Sequence, residues 1–245
     1  MRLELLGAVV DGLPMDEFER RVAEFVESGR PCRIITLNPE MLYSARHDRG
    51  LLDLVRGADL VTADGVGIVW ACRMAGRPVP ERVTGIDLML RLLGRAAAEG
   101  WGVFLLGAAP GVAEEAARRL RQDYPGISIV GTHHGYFHAD EEPEVVEKIR
   151  LAGPQLLFVA MGAPAQELFV ARRLKSLGPV VAMGVGGSLD VISGRVQRVA
   201  PALQRLNLEW LGRLVREPAR WRRMTVLPRF VLLVLRRYGL KRLRG

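Results

Sequence analysis

The residue best placed for chemistry is Asp64, which follows an apolar run typical of a buried strand. It lies in the sequence Ala58-Asp-Leu-Val-Thr-Ala-Asp-Gly-Val-Gly67, whose glycines permit a tight turn and a close approach of a ligand to the backbone. A carboxylate there could act as a general base, bind a ribose or cap a helix. Because Asp-Gly is also an ordinary turn dipeptide, this segment alone does not decide between a cap and a catalyst.

Three other segments place polar side chains just before a predicted helix or in its first turn. Thr36 and Asn38 precede Pro39, which can open a helix, and both could hydrogen-bond a sugar. Asn38 could equally be a simple helix cap. Arg82 precedes another predicted helix, where its guanidinium could face a phosphate or simply be solvated. Gln166 falls in the first turn of a helix that follows a strand and a Gly-x-Pro sequence.

Glycine-rich loops follow two further predicted strands. Gly107 opens the loop Gly-Ala-Ala-Pro-Gly, which could present backbone N–H groups and a helix dipole to a phosphate. The second loop, Gly-Val-Gly-Gly, contains Gly186 and Gly187 and suggests a backbone packed against a ligand. Asp190 behind it could bind a ribose or a base edge. In both places an ordinary β–α connection is the alternative, and neither loop is a P-loop or a GxGxxG fingerprint.

The sequence gives no indication of a metal site or a cofactor. The histidines at 133, 134 and 138 cluster without an evident further ligand. No Asp-x-Asp pair occurs, although nucleotide-sugar enzymes commonly hold a divalent cation with one. The only cysteines, Cys32 and Cys72, have neither zinc-ligand spacing nor the pattern of a disulfide framework. We therefore expect metal-independent chemistry without a cofactor, in a reducing cytosol, and we find no signal peptide at the N-terminus.

The elements that must position these residues alternate along the chain as far as residue 190. The predicted strands are Leu5–Val10, Arg33–Leu37, Leu60–Thr62, Gly102–Leu106, Ile127–Val130, Leu156–Ala160 and Pro179–Met183. The predicted helices include Asp16–Glu27, Ile86–Glu99, Pro110–Gln122, Glu144–Leu151 and Ala165–Leu177. This alternation predicts a Rossmann-like α/β catalytic domain over residues 1–194, with a largely parallel sheet flanked by helices. Ligands of such sheets bind at the carboxyl ends of the strands, where the polar segments fall.

The C-terminal region differs sharply from this domain in charge. Residues 191–245 contain 14 Lys and Arg against two acidic residues, a charge of +12, whereas the whole chain carries +8, which leaves −4 for the rest. Apolar residues alternate with the basic ones, but the run Phe230–Leu235 is far shorter than the roughly 20 residues of a membrane span. We predict that residues 195–245 form a basic, amphipathic, helical appendage whose partner is polyanionic, either a membrane surface or a nucleic acid.

Taken in order, these segments resemble the bacterial WecG/TagA/CpsF family of N-acetylmannosamine-type glycosyltransferases over nearly the whole chain. The matching sequences are Thr36-Leu-Asn-Pro-Glu40, Ala63-Asp-Gly-Val-Gly67, Arg82-Val-Thr-Gly85, Gly135-Tyr-Phe137, Gly162-Ala-Pro-Ala-Gln-Glu167, Gly184-Val-Gly-Gly187, and Asn207-Leu-Glu-Trp210 with Arg213, Glu217-Pro218 and Arg220. Two positions depart from the family pattern, both in the appendage: Arg198-Val-Ala-Pro201 stands for Arg-Ala-Pro, and Gly212 stands for a tyrosine. These departures bear on contacts with the acceptor more than on the chemical step.

The resemblance implies an inverting, metal-independent transfer of N-acetylmannosamine, or its uronic acid, from UDP to polyprenyl-diphosphate-linked N-acetylglucosamine. Such a reaction completes the linkage disaccharide of teichoic acids or serves surface-polysaccharide synthesis. The resemblance makes Asp64 the base and places Thr36, Asn38, Arg82 and Gln166 around the sugars.

The same resemblance places Tyr136 and the glycine loop that runs to Asp190 at the nucleotide. From the charge of the tail, we expect arginines such as Arg213, Arg220 or Arg223 to close over the substrate diphosphate near Asp64. We expect the enzyme to lie peripherally on the cytoplasmic face of the bacterial membrane, held there by anionic lipid.

Two other classes of function compete with this interpretation. A nucleic-acid-binding α/β protein could use the basic tail to follow phosphates, but the interleaved apolar residues favour an interfacial helix. An NAD-binding enzyme is disfavoured because no GxGxxG sequence follows the first strand. We therefore expect no nucleic-acid partner. Pairing of apolar faces of the core into a homo-oligomer is left open, and so is the donor sugar, for which glucose is a further candidate.

Overall fold

The computed structural model describes residues 1–198 and 225–239. The chain begins with an antiparallel hairpin of β1 (Arg2–Leu5) and β2 (Ala8–Asp11). The prediction of one strand over Leu5–Val10 is wrong, because Leu6 and Gly7 form a two-residue turn with φ of 51° and 90°. Positive φ at both central residues is the conformation that joins tightly paired antiparallel strands.

Six parallel strands form the central sheet and confirm the predicted Rossmann-like α/β fold. The strands are β3 (Cys32–Leu37), β4 (Leu60–Ala63), β5 (Gly102–Gly107), β6 (Ser128–His133), β7 (Leu156–Ala160) and β8 (Val181–Gly184). Their order across the sheet is β4-β3-β8-β7-β5-β6, and every neighbouring pair is parallel. Apart from edge strand β6, the strands are almost wholly buried, as expected where helices cover both faces.

Helices connect the strands and cover the sheet. They are α1 (Met15–Ser28), α2 (Pro39–His47), α3 (Arg49–Arg56), α4 (Val66–Met74), α5 (Gly85–Glu99), α6 (Val112–Asp123), α7 (Glu142–Ala152), α8 (Ala165–Arg173), α9 (Ser188–Ile192) and α10 (Val226–Val234). A 3₁₀ turn (Leu174–Ser176) extends α8, and a π-helical turn (Leu235–Gly239) extends α10. None of the described helices has both the length and the apolar composition needed to cross a bilayer.

The two faces of the sheet carry different helices. Helices α1, α5 and α6 pack on one face in the largest apolar cluster. On the other face, α7 and α8 cover β5, β7 and β8, while the hairpin, α2, α3, α4 and α10 cover β3 and β4. Because all six strands are parallel, the loops that follow them meet at one edge of the sheet. Asp64 and the loops of Gly107 and Gly186 lie at this edge, while Arg82 lies in the connection between α4 and α5.

The described part of the basic tail packs against the α/β body. Phe230 and Val234, one turn apart on α10, are at most 1% exposed and lie in the same apolar cluster as β3, β4, α2 and α4. The backbone N–H of Leu6 donates to the hydroxyl of Tyr238 at 2.9 Å, which ties the π-helical turn to the hairpin. The proposed boundary at residue 194 stays a prediction, because residues 199–224 lie outside the described part of the chain.

Candidate active site

Asp64 lies just beyond β4, at the start of two helices. Its backbone N–H donates to the carbonyl oxygen of Leu37 at 2.9 Å, which extends the pairing of β4 with β3 by one residue. Its Oδ2 accepts a hydrogen bond from the N–H of Gly85 at 3.2 Å, at the first residue of α5. The carboxylate is only partly buried. It therefore stands at the positive end of a 15-residue helix, and the cap and the catalyst interpretations are compatible.

The start of α5 is tied to the C-terminal segment of the described domain. Thr84 caps α5, accepting from the N–H of Asp87 at 3.2 Å and donating its hydroxyl to Asp87 Oδ2 at 2.6 Å. Arg198 donates to the other oxygen of Asp87 at 2.5 Å. Arg82, two residues before the cap, is partly buried, and its neighbour Val83 is hydrogen-bonded to the end of β4 at 3.3 Å. The structure thus brings Arg82 close to the strand end that carries Asp64.

Thr36 connects this region to the next strand of the sheet. Its buried hydroxyl donates to the carbonyl oxygen of Gly184, at the end of β8, at 3.1 Å. A Cβ atom on Gly85 would lie only 3.2 Å from the methyl carbon of Thr36. The side chain therefore lies between the end of β8 and the start of α5, next to the residue that binds Asp64.

Asn38 caps α2, as the simpler interpretation of the sequence held. Its Oδ1 accepts from the N–H of Met41 at 2.8 Å. The side-chain carbonyl is therefore engaged by the helix, and a sugar contact would fall to the amide nitrogen. A substrate-binding role for Asn38 remains a prediction.

Gln166 is buried at the start of α8 and holds the glycine loop after β8. Its Oε1 accepts from the N–H of Gly186 at 3.1 Å, and its Nε2 donates to Glu167 Oε1 at 2.7 Å. A Cβ atom on Gly186 would meet no atom of the described residues within 4 Å, so these residues leave open space beside the backbone there. Gly187 follows at the start of α9, a helix that also contains Asp190.

Gly107 and Tyr136 lie at some distance from these residues, on the side of β5 and β6. A Cβ atom on Gly107 would lie 2.4 Å from the carbonyl oxygen of Ala160, so the neighbouring strand requires a glycine there whether or not a ligand binds. Tyr136 is 72% exposed. Strand β5 stands four positions from β4 in the sheet, roughly 19 Å at the usual strand spacing. The structure therefore does not place Gly107 or Tyr136 with Asp64.

Comparison with known proteins decides the family of this chain. Residues 3–244 match the model of the glycosyl transferase WecG/TagA/CpsF family. The chain belongs to the WecG/TagA/CpsF family.

Curated relatives agree with this assignment. An N-acetylglucosaminyldiphosphoundecaprenol N-acetyl-beta-D-mannosaminyltransferase of Bacillus spizizenii is 37% identical over 212 residues, which cover 86% of this chain and 82% of the relative. A Staphylococcus aureus protein of the same name is 35% identical over 232 residues, covering 94% of this chain and 91% of the relative.

Three tail arginines that are predicted to close over the diphosphate, Arg213, Arg220 and Arg223, lie outside the described residues. The described tail nevertheless reaches the candidate site at one point. The ring of Phe230 lies 3.7 Å from where a Cβ atom of Gly67 would be, and the ring of Pro39 lies 2.6 Å from that point. Helix α10 of this WecG/TagA/CpsF family member thus packs beside the first turns of α2 and α4, and α4 begins two residues after Asp64.

Sequence reasoning did not assign a role in the site to Glu167. The side chain is 2% exposed, and burial raises the pKa of its carboxyl group to about 7. Its Oε2 is buried and accepts no hydrogen bond from the residues that the structure describes. In the sequence, an acid at position 167 is what the first turn of any helix favours, so its type alone does not indicate a site. The one local signal was its position directly after Gln166 in the matching sequence.

No group of three or more His, Cys, Asp or Glu within the described ranges could hold a metal ion. Two of the three clustered histidines, His133 and His134, line a cavity of about 330 Å³ at the end of β6, together with an aromatic, an aliphatic, a basic and two acidic side chains. The lining residues are His133, His134, Phe137, Glu141, Glu144, Val145 and Lys148. Metal-independent chemistry remains a prediction for this member of the family.

Proposed function

We propose that this chain transfers N-acetylmannosamine, or a closely related sugar, from UDP to N-acetylglucosamine linked to undecaprenyl diphosphate, with inversion at the anomeric carbon. The observation that carries the proposal is the position of Asp64. A partly exposed carboxylate at the start of α5 is grouped with Thr36, Arg82 and Gln166 in a chain of this family.

In the proposed step, Asp64 acts as the general base. The acceptor hydroxyl oxygen attacks the anomeric carbon while its proton passes to the Asp64 carboxylate. The bond between that carbon and the diphosphate oxygen breaks on the opposite face, and UDP departs with the electron pair. The hydrogen bond from Gly85 to Oδ2 at 3.2 Å supports this role, because it fixes the orientation of the carboxylate before the substrate arrives.

Negative charge develops on the departing diphosphate and requires positive groups or N–H dipoles around it. We assign this task to Arg82 and to three arginines of the tail, Arg213, Arg220 and Arg223, since arginine donates to phosphate oxygens in a planar fork. The contact of Arg198 with Asp87 supports the assignment, because it brings the chain that leads to those arginines to the start of α5.

The nucleotide is proposed to extend away from Asp64 along the strand ends. The open space beside Gly186 supports a site for the diphosphate or ribose over β8, with Gly187 and Asp190 next to it. Tyr136 would then contact the uracil ring of the nucleotide, on the side of the site near β5. Its distance from Asp64 argues against a contact with the transferred sugar, and its exposed ring is accessible to stack on uracil.

We further propose that α10 holds the enzyme on the cytoplasmic surface of the membrane. While Phe230 and Val234 face the core, the outward side shows apolar residues that are 41–48% exposed, namely Val231, Leu232 and Leu235. Basic residues border this apolar strip, namely Arg229, Arg236 and Arg237, and all three are exposed. An exposed apolar strip with basic borders is the composition of an interfacial helix, and each basic residue adds about 1 kcal/mol at an anionic surface.

A transfer assay tests the chemical proposal. UDP-N-acetylmannosamine, its uronic acid and UDP-glucose are each supplied with a lipid-diphosphate-linked N-acetylglucosamine, and the products are identified by mass and anomeric configuration. We expect one N-acetylmannosamine-type donor to give a disaccharide product in which the configuration at the anomeric carbon of the transferred sugar is inverted. Retention of configuration, or no product from any donor, would refute the proposal.

Vesicle sedimentation tests the membrane proposal. Changing Leu232 and Leu235 to serine should release the protein from vesicles containing anionic lipid, since both side chains face outward. Changing the exposed Leu151 and Leu168 to serine is the matched control, because these side chains are 70% and 39% exposed on α7 and α8. Equal binding by wild type and the Leu232 and Leu235 variant would contradict the role of α10.

A further inference from the structure

Glu167 is a buried acid that the proposed chemical step does not use. It occupies the third position of α8, is 2% exposed and faces the end of β8. A Cβ atom on Gly184 would lie 2.9 Å from Glu167 Oε1 and 2.5 Å from Gln166 Nε2. The two side chains therefore fill the space that any larger residue at position 184 would need.

The hydrogen bonds form a directed chain from this acid to the glycine loop. Glu167 Oε1 accepts from Gln166 Nε2 at 2.7 Å, and Gln166 Oε1 accepts from the N–H of Gly186 at 3.1 Å. A side-chain amide has its donor and acceptor on opposite sides. If the Gln166 amide were reversed, its NH₂ group would face the N–H of Gly186, and its oxygen would face the carboxyl group. Glu167 thus determines which end of Gln166 meets the loop.

The same point of the fold is connected to Asp64. The carbonyl oxygen of Gly184 accepts the hydroxyl of Thr36 at 3.1 Å, and Thr36 packs beside Gly85, whose N–H binds Asp64. A displacement of Glu167 would therefore shift Gly186 and, through Thr36, the start of α5.

A second buried acid on the neighbouring helix shows what an ordinary structural role requires. Glu142 on α7 is 9% exposed and forms ion pairs with Arg172 at 3.2 Å and Arg173 at 2.6 Å. Glu167 is more deeply buried, and among the described residues its carboxyl group accepts a side-chain hydrogen bond only from the neutral amide of Gln166. Burying an acid without a cation destabilises the fold, and such groups concentrate at functional sites.

We propose that Glu167 is a positioning residue for glycosyl transfer, which holds the Gln166 amide and, through it, the Gly186 backbone in the arrangement that receives the UDP part of the donor. This inference rests on the proposed function, because it assigns the glycine loop to the donor. What Glu167 contributes is a correctly placed acceptor oxygen, and its charge is not required.

Three substitutions in the full-length protein separate the position of the acceptor oxygen at residue 167 from the charge of the side chain. Glu167→Gln keeps an oxygen at the same distance and removes the charge, Glu167→Asp keeps the charge and withdraws the oxygens by one methylene, and Glu167→Leu removes both. Glu142→Gln is the matched control. It breaks the ion pairs of Glu142 with Arg172 and Arg173, which lie on α8 as Glu167 does. UDP affinity is measured by calorimetry, and kcat and KM for the donor are measured in the transfer assay.

We expect Glu167→Gln to stay within about threefold of wild type, while Glu167→Asp and Glu167→Leu lose about tenfold or more in UDP affinity and in kcat/KM for the donor, because the buried amide loses its partner. Glu142→Gln should lower the melting temperature without changing either constant. If Glu167→Asp behaved as wild type and Glu167→Gln as Glu167→Leu, the charge would be the essential property, and the proposal would be overturned. Should Glu167→Leu fail to fold, the Gln and Asp variants still decide.

Amide hydrogen exchange distinguishes failure of this inference from failure of the proposed function. The N–H of Gly186 should exchange faster in Glu167→Asp than in wild type and remain protected in Glu167→Gln. This comparison needs no substrate. Absence of UDP binding by wild type would refute the donor assignment, whereas unchanged exchange in Glu167→Asp would refute the positioning role.

Discussion

Asp64 and Glu167 each follow the end of a parallel strand, at the same edge of the sheet, yet their surroundings differ. Asp64 lies after β4, is partly exposed and receives a backbone N–H from the start of α5. Glu167 lies beyond β7, is 2% exposed and receives the side-chain amide of Gln166. The first carboxylate is accessible to a substrate, and the second is covered by protein.

Accessibility separates the two roles. A general base must come within hydrogen-bond distance of the proton that it removes. The partial exposure of Asp64 is compatible with the proposed role of base, whereas the buried side chain of Glu167 is not accessible to an acceptor hydroxyl. A sealed acid can affect a reaction only through the groups that it holds, here Gln166 and the loop at Gly186. Burial thus distinguishes a proposed base from a proposed positioning residue where sequence position does not.

The largest expected effect comes from removing the base. Asp64→Asn should lower kcat by about 10²- to 10⁴-fold, because the amide still accepts from Gly85 but cannot take a proton at neutral pH. Asp48→Asn is the control, since Asp48 also accepts a helix N–H, that of Leu51 at 3.1 Å, away from the site. The transfer assay measures both variants. Comparable loss in the two would mean that Asp64 serves only as a cap.

The next largest effect is expected beside the buried acid, Glu167. Gly184→Ala should reduce kcat/KM for the donor by about 10- to 100-fold, since the new methyl group would displace Gln166 and Glu167, and small displacements of positioning groups are costly. Gly94→Ala is the control, because a Cβ atom there meets only Tyr124 Cε1 at 3.5 Å. Steady-state kinetics with varied donor decide the matter. Wild-type kinetics for Gly184→Ala would remove the basis for a tightly packed donor loop.

A smaller effect is expected at the residue between the two carboxylates. Thr36→Val removes the hydroxyl group that donates a hydrogen bond to the carbonyl oxygen of Gly184. The free energy of unfolding should fall by about 1–3 kcal/mol, because a buried carbonyl group loses its donor. Thr36→Ser keeps the hydroxyl and should retain most of that stability. Chemical denaturation measures both. If the two variants were equally stable, the bond would not support the fold, and the link between Gly184 and Gly85 would rest on packing alone.

The smallest effect concerns pH. Since burial raises the pKa of Glu167 from 4.5 to about 7, the folded protein keeps a proton that the unfolded chain has already lost. The resulting stabilisation is complete below the unfolded pKa of 4.5 and is lost as the pH rises through 7. Relative to Glu167→Gln, wild type should lose about 2 kcal/mol between about pH 5.5 and about pH 8.5. Thermal unfolding of both proteins across that range is the measurement, and parallel curves would show that the carboxyl group is not perturbed.

Local sequence signals predicted much of the fold and one side of the site. The alternation of apolar runs with amphipathic segments predicted the α/β sheet. Polar residues at strand ends pointed to Asp64 and Thr36, and a position just before a helix pointed to Arg82. The turn at Leu6 and Gly7 was missed, because a run of apolar residues conceals a change in φ. The sequence suggested that Gly107 is a glycine because a ligand approaches it. In the structure a glycine is needed there because a side chain would collide with Ala160, and a residue so distant in sequence could not be foreseen as its neighbour.

The role of Glu167 could not be predicted for a related reason. Its burial depends on Gly184, and its effect depends on Gly186, both brought to it by the packing of α8 on β8. A sequence shows that an acid follows Gln166, but it does not show that the carboxyl group is sealed.

The most direct test of the role of Asp64 measures UDP affinity and turnover together for Asp64→Asn and Glu167→Leu. We expect Asp64→Asn to bind UDP as wild type does and to transfer almost no sugar, whereas Glu167→Leu should lose affinity and kcat/KM together. Near-normal transfer by Asp64→Asn would contradict the assignment of Asp64 as the base.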